Sequence, residues 1–100
     1  MLRQNRSMDL RAYIDTETGA PHFLRHGVSE QEVRDVLDRP LEDRPGMEGS
    51  RVAIGQTQAG RYLRVVYVPD PIPSSVLVVT DYELGPKAKQ ALRRRRKRKV

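Results

Sequence analysis

Residues 51–68, RVAIGQTQAGRYLRVVYV, determine the fold more than any other stretch of this chain. Residues 51–57 alternate apolar and polar side chains, which is the pattern of a half-buried strand. Residues 58–60 end in Gly60 and supply a short connection in which positive φ is tolerated. Residues 61–68, rich in Val and Tyr, are the longest predicted strand. The stretch therefore predicts an antiparallel hairpin.

The segments on either side of this hairpin extend the sheet and add a helix. Residues 75–83 form another predicted strand, and its nearly unbroken apolar run favours a central position in the sheet. Before the hairpin, Ser29 and Glu32 form a capping box. They predict a helix from Glu30 to Asp38, which stops before Pro40.

The remaining segments are predicted as short elements and connections. These are a strand over 10–14, a helical turn over 21–26, a loop over 40–50 and a proline-rich connection over 69–73. Residues 87–96 predict a basic helix. The consecutive cations of residues 93–99 repel one another, so this end is expected to be frayed or disordered unless an anion binds it.

The order of these elements predicts an α+β fold. N-terminal helices are expected to pack on one side of a small, three- to four-stranded antiparallel sheet, followed by a basic C-terminal helix or tail. Residues 1–8 are predicted to be a disordered leader, residues 9–92 a single domain and residues 93–100 a basic tail. In the last strand, Tyr82 is expected to share a face with Val76, Val78 and Thr80.

Composition and charge exclude several classes of protein. The chain has 100 residues and no cysteine, which excludes a disulfide framework, a thiolate zinc site and a cysteine nucleophile. No apolar run approaches the ~20 residues that span a bilayer, so we expect a soluble, cytoplasmic protein without a membrane partner. The net charge of +6 comes from the C-terminal segment, because residues 85–100 hold nine cations and no acid.

The candidate chemistry lies with arginine and tyrosine. His22 and His26 are one helical turn apart but lack a third ligand, so neither a metal site nor a cofactor is predicted. Arg51, Arg64 and Tyr82 lie on predicted strands. A guanidinium holds a phosphate with two hydrogen bonds and a phenol ring stacks on a base, although the same side chains also occur on an ordinary sheet surface.

The cations near the C-terminus are predicted to bind nucleic acid through its phosphates, by releasing counterions and without sequence preference. An acidic partner protein is the alternative reading of the same charges. The candidate residues are Lys87, Lys89, Arg93, Arg94, Arg95, Arg96, Lys97, Arg98 and Lys99.

Two motifs resemble the BrnT-like toxins of the RelE/ParE superfamily. The first is His22-Phe-Leu-Arg-His-Gly-Val-Ser29 with the helix that follows, and the second is the strand pair of residues 51–67 with a final apolar strand and a basic helix. The resemblance covers roughly residues 20–92. It implies a RelE-like fold and a type II toxin that acts on messenger or ribosomal RNA and is neutralised by a cognate antitoxin.

The resemblance also implies a set of active residues. The matching positions are Arg51, Arg64 and Tyr82, with His26 or Lys87 as further candidates. They would act in a metal-independent endoribonuclease that inhibits translation. The family usually carries an arginine where the last strand ends, whereas this chain has Tyr82 between Asp81 and Glu83.

Three functions remain open on the sequence alone. The first is the RNA-cleaving toxin. The second is a nucleic-acid-binding module without catalysis, which is favoured by the acids beside Tyr82, because negative charge opposes the approach of a phosphate. The third is a protein-interaction domain that pairs through the basic tail or through an exposed strand edge. A homodimer is one way in which such a sheet covers its edges.

Overall fold

The computed structural model describes residues 9–12, 27–69 and 75–98, which form one sheet and two α-helices. The strands are β1 (Asp9–Ala12), β2 (Glu42–Pro45), β3 (Arg51–Gln56), β4 (Tyr62–Pro69) and β5 (Ser75–Glu83), and the helices are α1 (Glu30–Asp38) and α2 (Pro86–Arg98). The strand order is β1-β5-β4-β3-β2. Strands β2 to β5 are antiparallel neighbours, and β1 adds to β5 in parallel. The α+β class is therefore confirmed, and β5 is an inner strand between β1 and β4, whereas β4 is the middle strand. The sheet has five strands rather than the predicted three to four, because β1 and β2 add to its two edges.

Helix α1 begins and ends where its capping signals predict. The Ser29 hydroxyl accepts a hydrogen bond from the Glu32 backbone N–H at 3.1 Å, and the Glu32 carboxylate accepts one from the Ser29 N–H at 3.0 Å. These two bonds satisfy N–H groups that have no partner inside the helix. Val33 and Val36 lie one turn apart and are fully buried against the sheet.

Arg61 fastens this helix to the end of the sheet. Its Nη1 donates to both carboxylate oxygens of Glu32 at 2.9 Å, and its Nη2 donates to Glu83 at 3.2 Å. The Ser29 backbone N–H, and then the Arg61 guanidinium, hold the pKa of Glu32 below its usual range. Helix α1 is thus tied to β5 by charge as well as by apolar packing.

The two helices lie on opposite faces of the sheet. Helix α1 covers the face that presents Ala53, Leu63 and Val65, which we name the α1 face. Leu92 of α2 packs with Ile54 on the other face, which we name the α2 face. The prediction that the helices pack on one side is therefore wrong. Successive strand residues point to opposite faces, and the sequence pattern did not tell which face Ile54 would use.

The segment of residues 40–50 is not only a loop. Residues 42–45 form the edge strand β2, and Met47–Gly49 form a short 3-10 turn in which Glu48 adopts a left-handed φ of 55°. The sequence Glu-Asp-Arg-Pro has no apolar alternation, because three of its four residues are exposed at the sheet edge. A proline is tolerated there since an edge strand needs no second partner.

A β-bulge in β5 changes which side chains share a face. Val66 pairs with Thr80 but Tyr67 pairs with Val78, so Val79 is an extra residue in the ladder. The extra residue shifts the alternation by one position. Val76 and Val78 consequently lie in the core of the α1 face, whereas Tyr82 lies on the α2 face opposite Arg64. The prediction that Tyr82 shares a face with Val76 and Val78 is wrong for this reason.

The basic C-terminal segment is helical through Arg98 rather than frayed from residue 93. The Arg95 guanidinium donates to both carboxylate oxygens of Glu42, at 2.7 and 2.9 Å, and Arg96 donates to the Leu41 carbonyl at 3.0 Å. The carboxylate of Glu42, in the same chain, supplies an anion that pairs with a cation of this basic segment. A bidentate, charge-assisted pair of this kind is among the stronger polar contacts in proteins.

Several predicted segments fall outside the described residues. They are the leader of residues 1–8, the helical turn over 21–26 and the second half of the strand predicted over 10–14. Most of the proline-rich connection is also outside them. In the part of the chain that is described, neither helix is long and apolar enough to cross a membrane.

The buried side chain of Tyr67 holds the edge strand β2 on the sheet. Its ionisation is expected to lower the free energy of unfolding at alkaline pH. The Tyr67 hydroxyl donates to Asp43 at 2.5 Å, and burial together with that carboxylate raises the pKa of Tyr67 to about 12. A raised pKa favours the neutral phenol, so the stabilisation is complete below pH 10 and is lost as the pH rises towards 12.

We therefore expect wild-type protein to lose about 1 kcal/mol more unfolding free energy than Tyr67→Phe between pH 8 and pH 11. Urea unfolding of both proteins at the two pH values measures this difference. Equal losses in the two proteins would show that Tyr67 does not carry the alkaline dependence.

Candidate nucleic-acid interface

An open groove of about 520 Å³ lies on the part of the α2 face that α2 leaves uncovered. Its lining comes from β2, β3, β4 and β5. Arg64 and Val66 are alternate residues of β4 that point to this face, and Arg44 and Pro45 come from the end of the edge strand β2. The floor is apolar and the polar groups are two guanidiniums and a phenol. The lining residues are Arg44, Pro45, Val52, Arg64, Val66 and Tyr82.

Arg64 and Tyr82 form the centre of this groove. They are direct partners across β4 and β5. Arg64 Nη1 donates to the Tyr82 hydroxyl oxygen at 3.1 Å, and the guanidinium carbon lies 5.5 Å from the centroid of the tyrosine ring. The Tyr82 oxygen accepts this bond, which leaves its own O–H as a donor. Tyr82 is 41% exposed, so a ligand in the groove can reach it.

The guanidinium of Arg64 keeps further donors for a ligand. Its Nε is buried and has no hydrogen-bond partner in the described part of the chain. A guanidinium has five N–H donors in a planar fork, and this fork matches the oxygens of a phosphate. Because Nε is shielded from solvent, a phosphate in the groove would be bound by the Nη end of the fork.

The acids beside Tyr82 in the sequence do not face the groove. Asp81 and Glu83 alternate with Tyr82 along β5 and therefore point to the α1 face. Asp81 is fully buried there, and Glu83 is paired with Arg61 at 3.2 Å. Neither carboxylate lines the groove, so their charges oppose a phosphate at Tyr82 less than their places in the sequence suggest.

Glu42 is a carboxylate on the α2 face, and two arginines offset its charge. Its side chain is only 6% exposed and binds Arg95 at 2.7 Å. Arg44, whose side chain is 56% exposed, lies 3.8 Å from the same carboxylate and also lines the groove. With Arg64 added, the positive charges around the groove outnumber the negative ones.

The structure does not bring Arg51 into the groove. Arg51 lies on the α1 face, where its Nε donates to Asp43 at 2.8 Å, and this contact raises the pKa of Arg51. Lys87 is exposed at the start of α2. His26 lies outside the described residues. Of the four predicted catalytic residues, the described structure thus pairs Arg64 with Tyr82 and separates Arg51 from them.

The cations of α2 divide into two groups. Arg95 and Arg96 bind Glu42 and the Leu41 carbonyl, and the Lys89 ammonium lies 6.0 Å from the centroid of the Tyr62 ring. Four others are exposed and available to a polyanion, namely Lys87, Arg93, Arg94 and Lys97. Arg98 ends the helix, and Lys99 lies outside the described residues.

Arg44 is the site residue that sequence reasoning missed. It occurs in a polar segment that carries no strand pattern, and only its pairing with Val52 shows that it reaches the α2 face. A charge pair two residues apart, Glu42 and Arg44, is the one signal that the sequence offers. Residues two positions apart in a strand point to the same face, so this spacing is the one expected for Glu42 and Arg44 on the α2 face.

Comparison of the chain with protein-family models, with curated proteins and with solved structures gives no match in any of the three. Among the described residues, no group of three or more His, Cys, Asp and Glu side chains is arranged to hold a metal ion. The groove and its charges are therefore the features of the described residues that bear on function.

Proposed function

We propose that this protein is a toxin-like ribonuclease that binds RNA in the Arg64–Tyr82 groove and cleaves it without a metal ion, which stops translation. The observation that carries the proposal is the pair itself. A guanidinium and a phenol hydroxyl lie 3.1 Å apart in an open, positively charged groove. The α+β fold with its basic helix is compatible with a RelE-like architecture, for which a cognate antitoxin is the expected partner.

The charges of the α2 face support binding of a phosphate backbone. Arg44 and Arg64 line the groove, and the exposed cations of α2 extend the positive surface beyond it. A protein that neutralises several phosphates releases counterions, so its affinity falls steeply with salt.

The proposed reaction is attack of the RNA 2′-oxygen on the adjacent phosphorus. The bond from the 2′-oxygen to phosphorus forms as the bond to the 5′-oxygen breaks, which gives a 2′,3′-cyclic phosphate and a 5′-hydroxyl end. Arg64 stabilises the negative charge that develops on the phosphate oxygens. Tyr82 donates its proton to the leaving 5′-oxygen, and His26 or Lys87 takes the proton of the 2′-hydroxyl.

A second candidate function is RNA binding without cleavage. The exposed cations Lys87, Arg93, Arg94 and Lys97 favour it, because they belong to α2 and bind a polyanion with or without the groove. In this alternative Arg64 and Tyr82 contact RNA but leave its phosphodiester bonds intact.

Induced expression in a bacterial host, with growth and total-RNA integrity followed together, tests the proposal. We expect growth to stop and RNA to be lost with the wild-type chain, and both effects to disappear with Arg64→Ala combined with Tyr82→Phe. Growth arrest with intact RNA would support the second candidate instead. Normal growth with intact RNA, at equal protein levels, would contradict the proposed cleavage and leave the cations of α2 as the feature to explain.

A further inference from the structure

A second groove, of about 550 Å³, lies between α2 and the outer end of the sheet. Leu41, Tyr62 and Leu92 form its apolar floor, and Arg93, Arg96 and Lys97 line its rim. Gln56 also lines it, and its side-chain amide donates to the Gly60 carbonyl at 3.3 Å. It shares no lining residue with the Arg64–Tyr82 groove. A ligand can therefore occupy it whatever happens in the first groove, and the inference below does not rest on the proposed function.

We propose that this second groove binds an acidic segment of a partner protein through an aliphatic side chain and flanking carboxylates. The floor supplies the apolar part of that match. Leu41 and Tyr62 are half-buried, and both pack on the small cluster of Ile54, Leu84 and Leu92. A leucine or isoleucine placed there extends that cluster and removes apolar surface from water on both sides.

The rim supplies the charge complementarity. Three cations line the groove, and no acidic side chain among the described residues lines it with them. Arg96 is held in place by its bond to the Leu41 carbonyl at 3.0 Å, while Arg93 and Lys97 are exposed. Carboxylates on either side of a buried aliphatic residue meet these cations without displacing any contact inside the protein.

RNA fits this groove less well than an acidic protein segment does. The face of the Tyr62 ring, which a base would need for stacking, already has the Lys89 ammonium 6.0 Å from its centroid. The other two apolar residues of the floor are Leu41 and Leu92, and a phosphate backbone gains nothing from leucine side chains. RNA would use all the exposed cations of α2 alike, including Lys87 and Arg94, which lie outside the groove.

A pair of synthetic peptides tests the inference by fluorescence anisotropy on the full chain. One is a short glutamate-rich peptide with two leucines one helical turn apart, and its twin has serine in place of both leucines. We expect the leucine peptide to bind on the order of tenfold more tightly than its twin, because only the first fills the apolar floor.

Two charge reversals on the same helix locate the binding. Arg93→Glu with Lys97→Glu alters the groove, whereas Lys87→Glu with Arg94→Glu makes the same change in charge outside it. The first pair is expected to weaken binding of the leucine peptide by roughly tenfold and the second by less than about threefold. Circular dichroism checks that both variants keep the fold.

Three results would overturn the inference. One is equal binding of the two peptides, and another is equal loss of affinity in the two variants. The third is binding of a single-stranded RNA, or of a second copy of this chain, that loses more affinity on Arg93→Glu with Lys97→Glu than binding of the leucine peptide does.

Discussion

Replacing Arg64 with alanine is expected to slow RNA cleavage by the purified protein by roughly a thousandfold. Donors aimed at the charge that develops in a transition state are worth on the order of 10²–10³ in rate each. Arg64 supplies at least one such donor, and it also holds the hydroxyl of Tyr82 at 3.1 Å. Single-turnover rates on a short single-stranded RNA measure the loss.

Arg64→Lys separates the charge from the shape of the guanidinium. Lysine keeps the positive charge but lacks the planar fork. We expect this variant to bind RNA nearly as well as the wild type and to cleave it much more slowly. Full cleavage by Arg64→Lys would show that the charge alone suffices and that the bond to Tyr82 is not needed.

Arg39→Ala is the matched control, because Arg39 is an exposed arginine at the end of α1 and lines neither cationic groove. It should leave the rate within a factor of about two, as surface substitutions generally do. Arg51→Ala tests a further point. The sequence predicted Arg51 as an active residue beside Arg64 and Tyr82, whereas the structure pairs only Arg64 with Tyr82. A loss as large as that of Arg64→Ala would place Arg51 back in the site.

Replacing Arg95 with alanine is expected to lower the free energy of unfolding by about 2–4 kcal/mol. The Glu42 side chain is only 6% exposed, and Arg95 makes its two shortest contacts, at 2.7 and 2.9 Å. Removing one partner of a buried pair leaves a charge in a place that water does not reach well. Because Arg95 itself is one-third exposed, the loss should fall below that of a fully buried pair.

Urea unfolding measures this loss, with Arg94→Ala as the control. Arg94 is the preceding residue of α2 and is exposed, so its removal should change the stability by less than about 0.5 kcal/mol. Equal effects of the two substitutions would mean that the Glu42 contact does not hold α2 on the sheet. Far-ultraviolet circular dichroism of Arg95→Ala should also show partial loss of helix.

The elements with strong local signals were predictable from the sequence. The capping box of Ser29 and Glu32 set the start of α1, and the bounds of α1 agree with the prediction. The hairpin of β3 and β4 followed from alternation and a glycine-ended turn. In each case the decisive interactions join residues close together in the sequence.

What the sequence did not predict depends on pairing between distant residues. Strand β2 carries no pattern of its own and exists because β3 lies beside it. The bulge at Val79 is visible only in the register between β4 and β5. Helix α2 continues to Arg98, and its Arg95 is paired with Glu42, which lies fifty-three positions earlier in the sequence. Such contacts have no signature within a short window of sequence.

The candidate site shows the same division. Arg64 and Tyr82 were predicted as residue types suited to RNA chemistry, but the face of Tyr82 depends on the bulge. Arg51 was predicted with them and lies on the α1 face, because pairing of Ile54 with Arg64 sets the opposite alternation. The acids beside Tyr82 point away from it for the same reason.

The most direct test of the proposed function is the chemistry of the RNA ends that the purified protein produces in the presence of EDTA. The account predicts cleavage that persists without free divalent metal and yields 2′,3′-cyclic phosphate and 5′-hydroxyl ends. It also predicts that Tyr82→Phe, at unchanged thermal stability, loses most of the rate. Intact RNA, ends of another chemistry, or cleavage that is equally fast in Tyr82→Phe would contradict it.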